Sequence, residues 1–222
     1  MKPTFLTVPR RARYFSLGPS GTDAVELWIV LHGYAQLAER FLRWFRPIDD
    51  GKRWIVAPEA LSRFYLETSI KGAHGPVIGA TWLTREAREA DLEDHVEYLD
   101  RLAAHLRDRA GSLPVTLLGF SQGAAMAARW IARRPVRVGR VILWGTPWPS
   151  DVEPNELGRR LEGIPVWLVT GTRDAYARPE EIEAGAAGLT AGGARVTVHH
   201  YPGGHRVDPA ALLEIQEATA AD

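Results

Sequence analysis

The stretch Val115-Thr116-Leu117-Leu118-Gly119-Phe120-Ser121-Gln122-Gly123-Ala124-Ala125-Met126-Ala127-Ala128 decides the fold. Its first part is a short aliphatic run of the kind that forms a buried strand, and its last part is an alanine-rich run that favours a helix. Between them lies Gly119-Phe120-Ser121-Gln122-Gly123, a G-x-S-x-G turn. The glycines leave room for a sharp strand-to-helix corner, and such a corner presents a serine at the carboxyl end of a sheet, beside the positive end of the helix. A serine that merely caps a helix would satisfy the motif alone. The strand before it and the helix after it favour a nucleophile.

Outward from this turn the same rhythm repeats. Val25–Leu31, Arg53–Ala57, Val141–Trp144, Val166–Thr170 and Arg195–Tyr201 are further apolar runs of strand length. Near-continuous aliphatic strands fit a parallel sheet covered on both faces. Helical stretches separate them. Gln36–Phe45 is bounded by Pro47, and Ala124–Arg134 by Pro135. From Thr84 to Arg109, Leu92, Val96, Leu99, Leu102 and Leu106 recur at three- and four-residue steps, which marks one buried stripe; His95 and His105 are expected on its exposed side. Asp208-Pro209 opens a last helix with a capping carboxylate and a proline at the first helical position. Thr4–Val8 and Arg13–Leu17 are weaker candidates for edge strands. Strand–helix alternation predicts an α/β, three-layer sandwich: a mostly parallel central sheet with helices on both faces. No repeat or linker divides residues 1–222, so a single domain is expected. The long aperiodic stretch 59–81 would form a pocket rim or partial cap.

Composition narrows the function classes. In 222 residues, 45% are apolar and 24% charged, which argues for a globular chain. Twenty-seven basic and twenty-seven acidic residues cancel, so nothing global draws the chain to nucleic acid. Cysteine is absent, which excludes disulfides, thiolate metal sites and a cysteine nucleophile. The run Leu27–Leu31 is far too short to span a bilayer, and the N-terminus has no apolar stretch of signal-peptide length. A cytoplasmic protein with no integral membrane association is expected.

A serine nucleophile needs a base. His205, in Tyr201-Pro202-Gly203-Gly204-His205, lies in a turn past the last strand and is the best placed of seven histidines. His32 reads as a structural histidine below the site, His199 and His200 lie within a strand, and His74 falls in the aperiodic stretch with no role assigned. The base needs an acid to fix its tautomer. Asp174 follows the penultimate strand in Thr170-Gly171-Thr172-Arg173-Asp174 and is favoured over Asp151. The order Ser121, Asp174, His205 is that of α/β-hydrolases. Oxyanion donors are expected at the backbone N–H of Gln122 and of Tyr34, in the loop Leu31-His32-Gly33-Tyr34. Eight tryptophans are many for this length. Trp28, Trp54 and Trp167 are assigned to the core, and Trp44 and Trp130 to packing between layers. Tyr34, Phe64, Tyr65, Trp82, Trp144, Trp148 and Tyr176 are candidates to wall an apolar substrate pocket.

These residues resemble the phospholipase/carboxylesterase branch of the α/β-hydrolases, which includes acyl-protein thioesterases. Leu31-His32-Gly33, Gly119-Phe120-Ser121-Gln122-Gly123, Gly171-Thr172-Arg173-Asp174 and Gly203-Gly204-His205 carry the likeness, which covers most of the chain; Trp82 also matches a tryptophan of relatives. The chain departs from that pattern at Ala35 and Gln36, where relatives usually place glycine and an acidic residue. It departs again at Thr170-Gly171 (usually His-Gly) and at Ala175-Tyr176 (usually Val-Pro). The resemblance implies a serine carboxylesterase that works through an acyl-enzyme on a small-molecule ester, without metal or organic cofactor. Thioester or lysophospholipid hydrolysis, acyl transfer or peptide cleavage on the same scaffold, and a non-catalytic binding module are the alternatives.

Overall fold

The computed structural model describes residues 2–66, 77–146 and 148–220. Seven strands form the central sheet: β1 (Tyr14–Leu17), β2 (Glu26–Leu31), β3 (Arg53–Pro58), β6 (Val115–Phe120), β7 (Arg140–Trp144), β8 (Pro165–Gly171) and β9 (Arg195–Tyr201). Their order is β1-β3-β2-β6-β7-β8-β9. All neighbours are parallel except β1, which lies antiparallel on β3. The expected edge strand at Arg13–Leu17 is therefore present as β1, whereas residues 2–13 form no strand and the one expected at Thr4–Val8 is absent.

Period-two alternation splits each strand between two apolar layers. Leu27, Ile29, Leu31, Leu117, Val141, Leu143 and Leu168 face one cluster, shared with Leu92, Val96, Leu99, Leu102 and Leu106 of α2 (Arg88–Ala110) and with Met126 and Trp130 of α3 (Gln122–Arg133). Helices α4 (Pro154–Arg160) and α5 (Pro179–Ala191) complete that layer with Leu157, Ile182 and Leu189. Trp28, Val30, Ile55, Leu118, Ile142 and Val169 face the other cluster, closed by α1 (Ala38–Leu42), the 3-10 turn Arg43–Ile48 and α6 (Pro209–Ala220). The expected helix over Gln36–Phe45 thus shortens to one α-turn and tightens into 3-10, with Pro47 inside the latter. Among the described residues, no helix is long and apolar enough to cross a membrane.

His95 corrects an expectation. It sits on the buried stripe of α2 at 1% exposure, three residues after Leu92 and four before Leu99. The stretch 59–81 is also more ordered than its composition implies: β4 (Ser62–Tyr65) pairs antiparallel with β5 (Ile78–Thr81). The tip of that stretch, His74 included, lies outside the described residues, and with it much of the expected cap.

Candidate active site

Four loops at the carboxyl ends of β2, β6, β8 and β9 build the site. The corner after β6 places Ser121 at φ 54° and ψ −120°, outside the regions a side chain ordinarily adopts. Its flanking glycines are a packing necessity. A Cβ on Gly123 would stand 2.2 Å from the Leu31 carbonyl oxygen, and one on Gly119 would stand 2.4 Å from the Ala124 Cα. Helix α3 therefore enters directly against the end of β2. The Ser121 N–H donates to the Trp144 carbonyl at 2.8 Å, which fixes the corner to β7.

Ser121, His205 and Asp174 come together. Ser121 Oγ lies 2.9 Å from His205 Nε2, and His205 Nδ1 lies 2.9 Å from Asp174 Oδ2 and 3.1 Å from Oδ1. The Asp174 side chain is fully buried, and the Tyr176 N–H donates to its Oδ1 at 2.9 Å. A buried carboxylate acceptor puts the histidine proton on Nδ1 and leaves Nε2 free to accept from the serine hydroxyl. The imidazole is packed between the rings of Phe120 and Tyr176, at centroid distances of 4.9 and 4.7 Å. Backbone bonds stitch the acid loop to the base loop: Thr172 N–H to Tyr201 O at 2.9 Å and Arg173 N–H to Gly203 O at 2.8 Å. The Tyr201 hydroxyl, 2.7 Å from Gly204 O and 2.5 Å from Arg206 O, clasps the residues on either side of the histidine.

The rival acid, Asp151, is engaged elsewhere. It takes a fork of hydrogen bonds from Arg129 and a further contact from Arg88 at 3.0 Å. Hydrogen bonding from Arg129, against the opposing effect of burial, holds its carboxyl well below the ordinary aspartate range.

The loop after β2 is tied down on every side except one. The Gly33 N–H donates to Gln36 Oε1 at 2.7 Å, the Ala35 N–H to Ala80 O at 2.9 Å, and the Ala80 N–H to Gln36 O at 3.1 Å. Trp82 Nε1 donates to His32 O at 2.8 Å. The Tyr34 and Gln122 backbone N–H groups have no hydrogen-bond partner among the described residues, which leaves them free to receive an oxyanion. The Gln122 side chain serves as a clamp: its Oε1 accepts from Trp82 N–H at 3.0 Å and its Nε2 donates to Leu83 O at 2.8 Å.

Two buried histidines underlie this loop. His32 Nε2 accepts from Ala60 N–H at 3.0 Å, and His95 Nε2 accepts from Leu61 N–H at 3.0 Å. Each therefore carries its proton on Nδ1, given to Gly33 O and Asp91 O respectively. Trp82 lies between the two rings at 5.1 and 5.3 Å. Burial pushes the pKa of His32 down to about 4 and lowers that of His95 as well.

A cleft of about 270 Å³ opens beside Ser121, between Ala125, Arg129, Thr146, Trp148 and Tyr176. Of the expected pocket walls, Trp148 and Tyr176 line it. The Tyr34 ring lies tilted against that of Phe64 at 5.5 Å on the β4 side, and Tyr65 projects outward with 68% exposure. Trp82 and Trp144 correct their assignment: neither has exposed surface, and both belong to the core. Trp144 donates to the Tyr201 hydroxyl at 3.3 Å, so it supports the base loop from below. Sequence reasoning missed Arg129 and Gln36. Spacing could have found the first, since 121, 125 and 129 fall on one helix face. Among the described residues, no group of three or more His, Asp or Glu side chains could hold a metal ion.

A sequence profile of the family described as alpha/beta hydrolase fold matches residues 62–187. No curated protein sequence gives a significant match. Among solved structures, the chain is similar to esterase PE8 (TM-score 0.73, 24% identity, covering 96% of this chain and 99% of that one). It is also similar to a carboxylesterase of Bacillus cereus (TM-score 0.72, 18% identity, 95% and 94% covered) and to acyl-protein thioesterase 2 of Zea mays (TM-score 0.70, 19% identity, 95% and 99% covered). At these identities the likeness is one of fold.

Proposed function

The chain belongs to the alpha/beta hydrolase fold family, and on that premise we propose that it is a serine hydrolase of carboxylic esters. The strongest support is the unbroken hydrogen-bonded line from Ser121 Oγ through His205 to the buried Asp174 carboxylate. His205 Nε2 accepts the serine proton as Oγ attacks the ester carbonyl. The Tyr34 and Gln122 N–H groups hold the oxygen that becomes negative. His205 then protonates the leaving alcohol, and water, activated by the same nitrogen, releases the acid from the acyl-enzyme. The chemistry requires His205 to be neutral when it accepts the serine proton. The substrate is a small-molecule ester, and the cysteine-free composition favours the cytoplasm as the site of action.

Initial rates on esters and thioesters of matched acyl chains, short to long, test this reading. Ser121→Ala should lower turnover on the order of a million-fold. Turnover that survives the substitution, or no turnover of any ester by the unaltered chain, would overturn it. A rate on thioesters far above that on esters would keep the nucleophile and change the substrate class.

A further inference from the structure

The cleft beside Ser121 ends on a cation, which bears on the substrate of the proposed esterase site and rests on that reading. Helix α3 carries Ser121 at its N-terminal boundary and presents Ala125 and Arg129 to the same cleft, at steps of four. A rise of 1.5 Å per residue puts the Arg129 Cα roughly 12 Å along the axis from that of Ser121. Helical side chains lean toward the N-terminus, so the guanidinium reaches back toward the nucleophile. A chain of a few carbons spans what remains.

The Arg129 side chain is only 11% exposed. Asp151 occupies two of its corners, Nε at 2.9 Å and Nη2 at 2.7 Å. The third, Nη1, has no hydrogen-bond partner among the described residues. Nor is the charge locally balanced. Asp151 is shared with Arg88, and Glu89 is divided between Arg88 and Arg133, so three guanidiniums meet two carboxylates. The rings of Trp148 and Tyr176 and the small methyl of Ala125 form the walls leading to it. A purely aliphatic substrate chain would shield this donor from water and give it no acceptor, which is costly for a charged group. A carboxylate there would receive a charge-assisted hydrogen bond.

We propose that the cleft selects esters carrying a carboxylate a few carbons from the scissile bond, with Arg129 as the specificity-determining residue. The carboxylate could belong to the acyl part or to the alcohol part, and two substrate series distinguish them. The first compares the monomethyl esters of succinate, glutarate and adipate with methyl esters of aliphatic acids of equal chain length. The second compares acetate esters of short hydroxy acids with those of the matching alkanols. The unaltered chain should favour the anionic member of one series at least five-fold in kcat/KM. Arg129→Gln should bring that ratio to one or below. Asp151→Asn should raise it, because only one acceptor then remains for the guanidinium and a competing negative charge is lost. A purely structural role for the pair would move both variants the same way. A ratio under five in both series for the unaltered chain overturns the inference even if neither variant folds. Loss of Ser121-dependent turnover of the neutral esters would instead overturn the esterase reading beneath it.

Discussion

Ser121 holds a backbone conformation that a residue with a Cβ reaches only at a cost of about 1–3 kcal/mol. The bond to Trp144 O and the packing of α3 against β2 impose it, so the cost remains when the hydroxyl is removed. Ser121→Gly should accordingly be more stable than Ser121→Ala by about 1 kcal/mol, both inactive, as read from urea unfolding midpoints. The corner tolerates nothing larger next door. Gly123→Ala drives a methyl into the Leu31 carbonyl and should cost at least about 2 kcal/mol, with loss of turnover. In the proposed mechanism Asp174 acts through His205 rather than on the substrate. Asp174→Asn keeps the shape of the site but lets the ring adopt the tautomer that places a proton on Nε2, and should lower kcat about ten-thousand-fold. A small effect of that substitution in ester assays would remove Asp174 from its assigned role. At this scale the meeting of Ser121, Asp174 and His205 was legible in the sequence, because each lies within four residues of the end of a sheet strand. The sequence was insufficient for Trp82 and Trp144, whose positions at strand ends suggest a loop while their rings fold back into the core.

At the scale of elements, the loop after β2 shows how a departure from the family pattern can be accommodated. Ala35 stands at φ 63°, a left-handed position that suits glycine, and Gln36 follows it where the resemblance implies an acidic residue. The Ala35 N–H donated to Ala80 O, the Ala80 N–H accepted by Gln36 O, and Gln36 Oε1 on the Gly33 N–H hold the turn in that shape. Gln36→Ala should reduce kcat about ten-fold with little change in KM, whereas Gln36→Glu, which retains the acceptor, should restore most of it. Below this loop, His32 and His95 work as neutral acceptors. Their pKa values are lowered by the fold, so below about pH 6.5 the unfolded chain binds protons that the folded chain refuses, for His32 down to about pH 4. Stability is therefore intact above about pH 6.5 and falls as the pH drops toward 4, by on the order of 3 kcal/mol for His32. In His95→Gln the slope of stability against pH below about 6.5 should be shallower than in the unaltered chain, a difference urea titrations at several pH values resolve. The position of His95 could be read from the stripe of α2; its charged neighbours Glu93, Asp94 and Glu97 obscured it. Helices α4 and α5 were not foreseen for a different reason. Gly158 lies against Leu189 O and Gly185 against the Trp148 ring, so part of their packing is made through absent side chains, and the apolar period is reduced to Ile182, Ala186 and Leu189 in α5. Pro154 and Pro179, each at a first helical position, are the other signals of their starts.

For the molecule as a whole, the sheet separates its tasks by end. Ser121, Asp174, His205 and Tyr34 all follow carboxyl ends of strands. The amino ends of β3, β2, β6 and β7 hold a charge clamp instead. Glu26, 14% exposed, accepts from Thr116 at 2.6 Å and faces Arg53 at 3.4 Å and Arg140 at 3.3 Å. Glu26→Ala withdraws the carboxylate from between two mostly buried guanidiniums and should cost about 3 kcal/mol, with kcat unchanged at temperatures where the variant is folded. Thermal melting beside an ester assay checks both halves. The pairing order carries a further consequence, in time rather than in energy. The central strand β6 joins β2 across the whole length of α2, with Leu27 beside Val115, and the serine and histidine that meet at 2.9 Å are 84 residues apart in the chain. Sheets closed by such distant partners form late, after the intervening loop has been gathered in. On a ribosome the first three strands can associate early, but the raw edge of β8 waits uncovered until β9 has been made. The proposed ester cleavage would thus be acquired last, and its first appearance during synthesis would time the docking of the final strand and of the turn that bears His205.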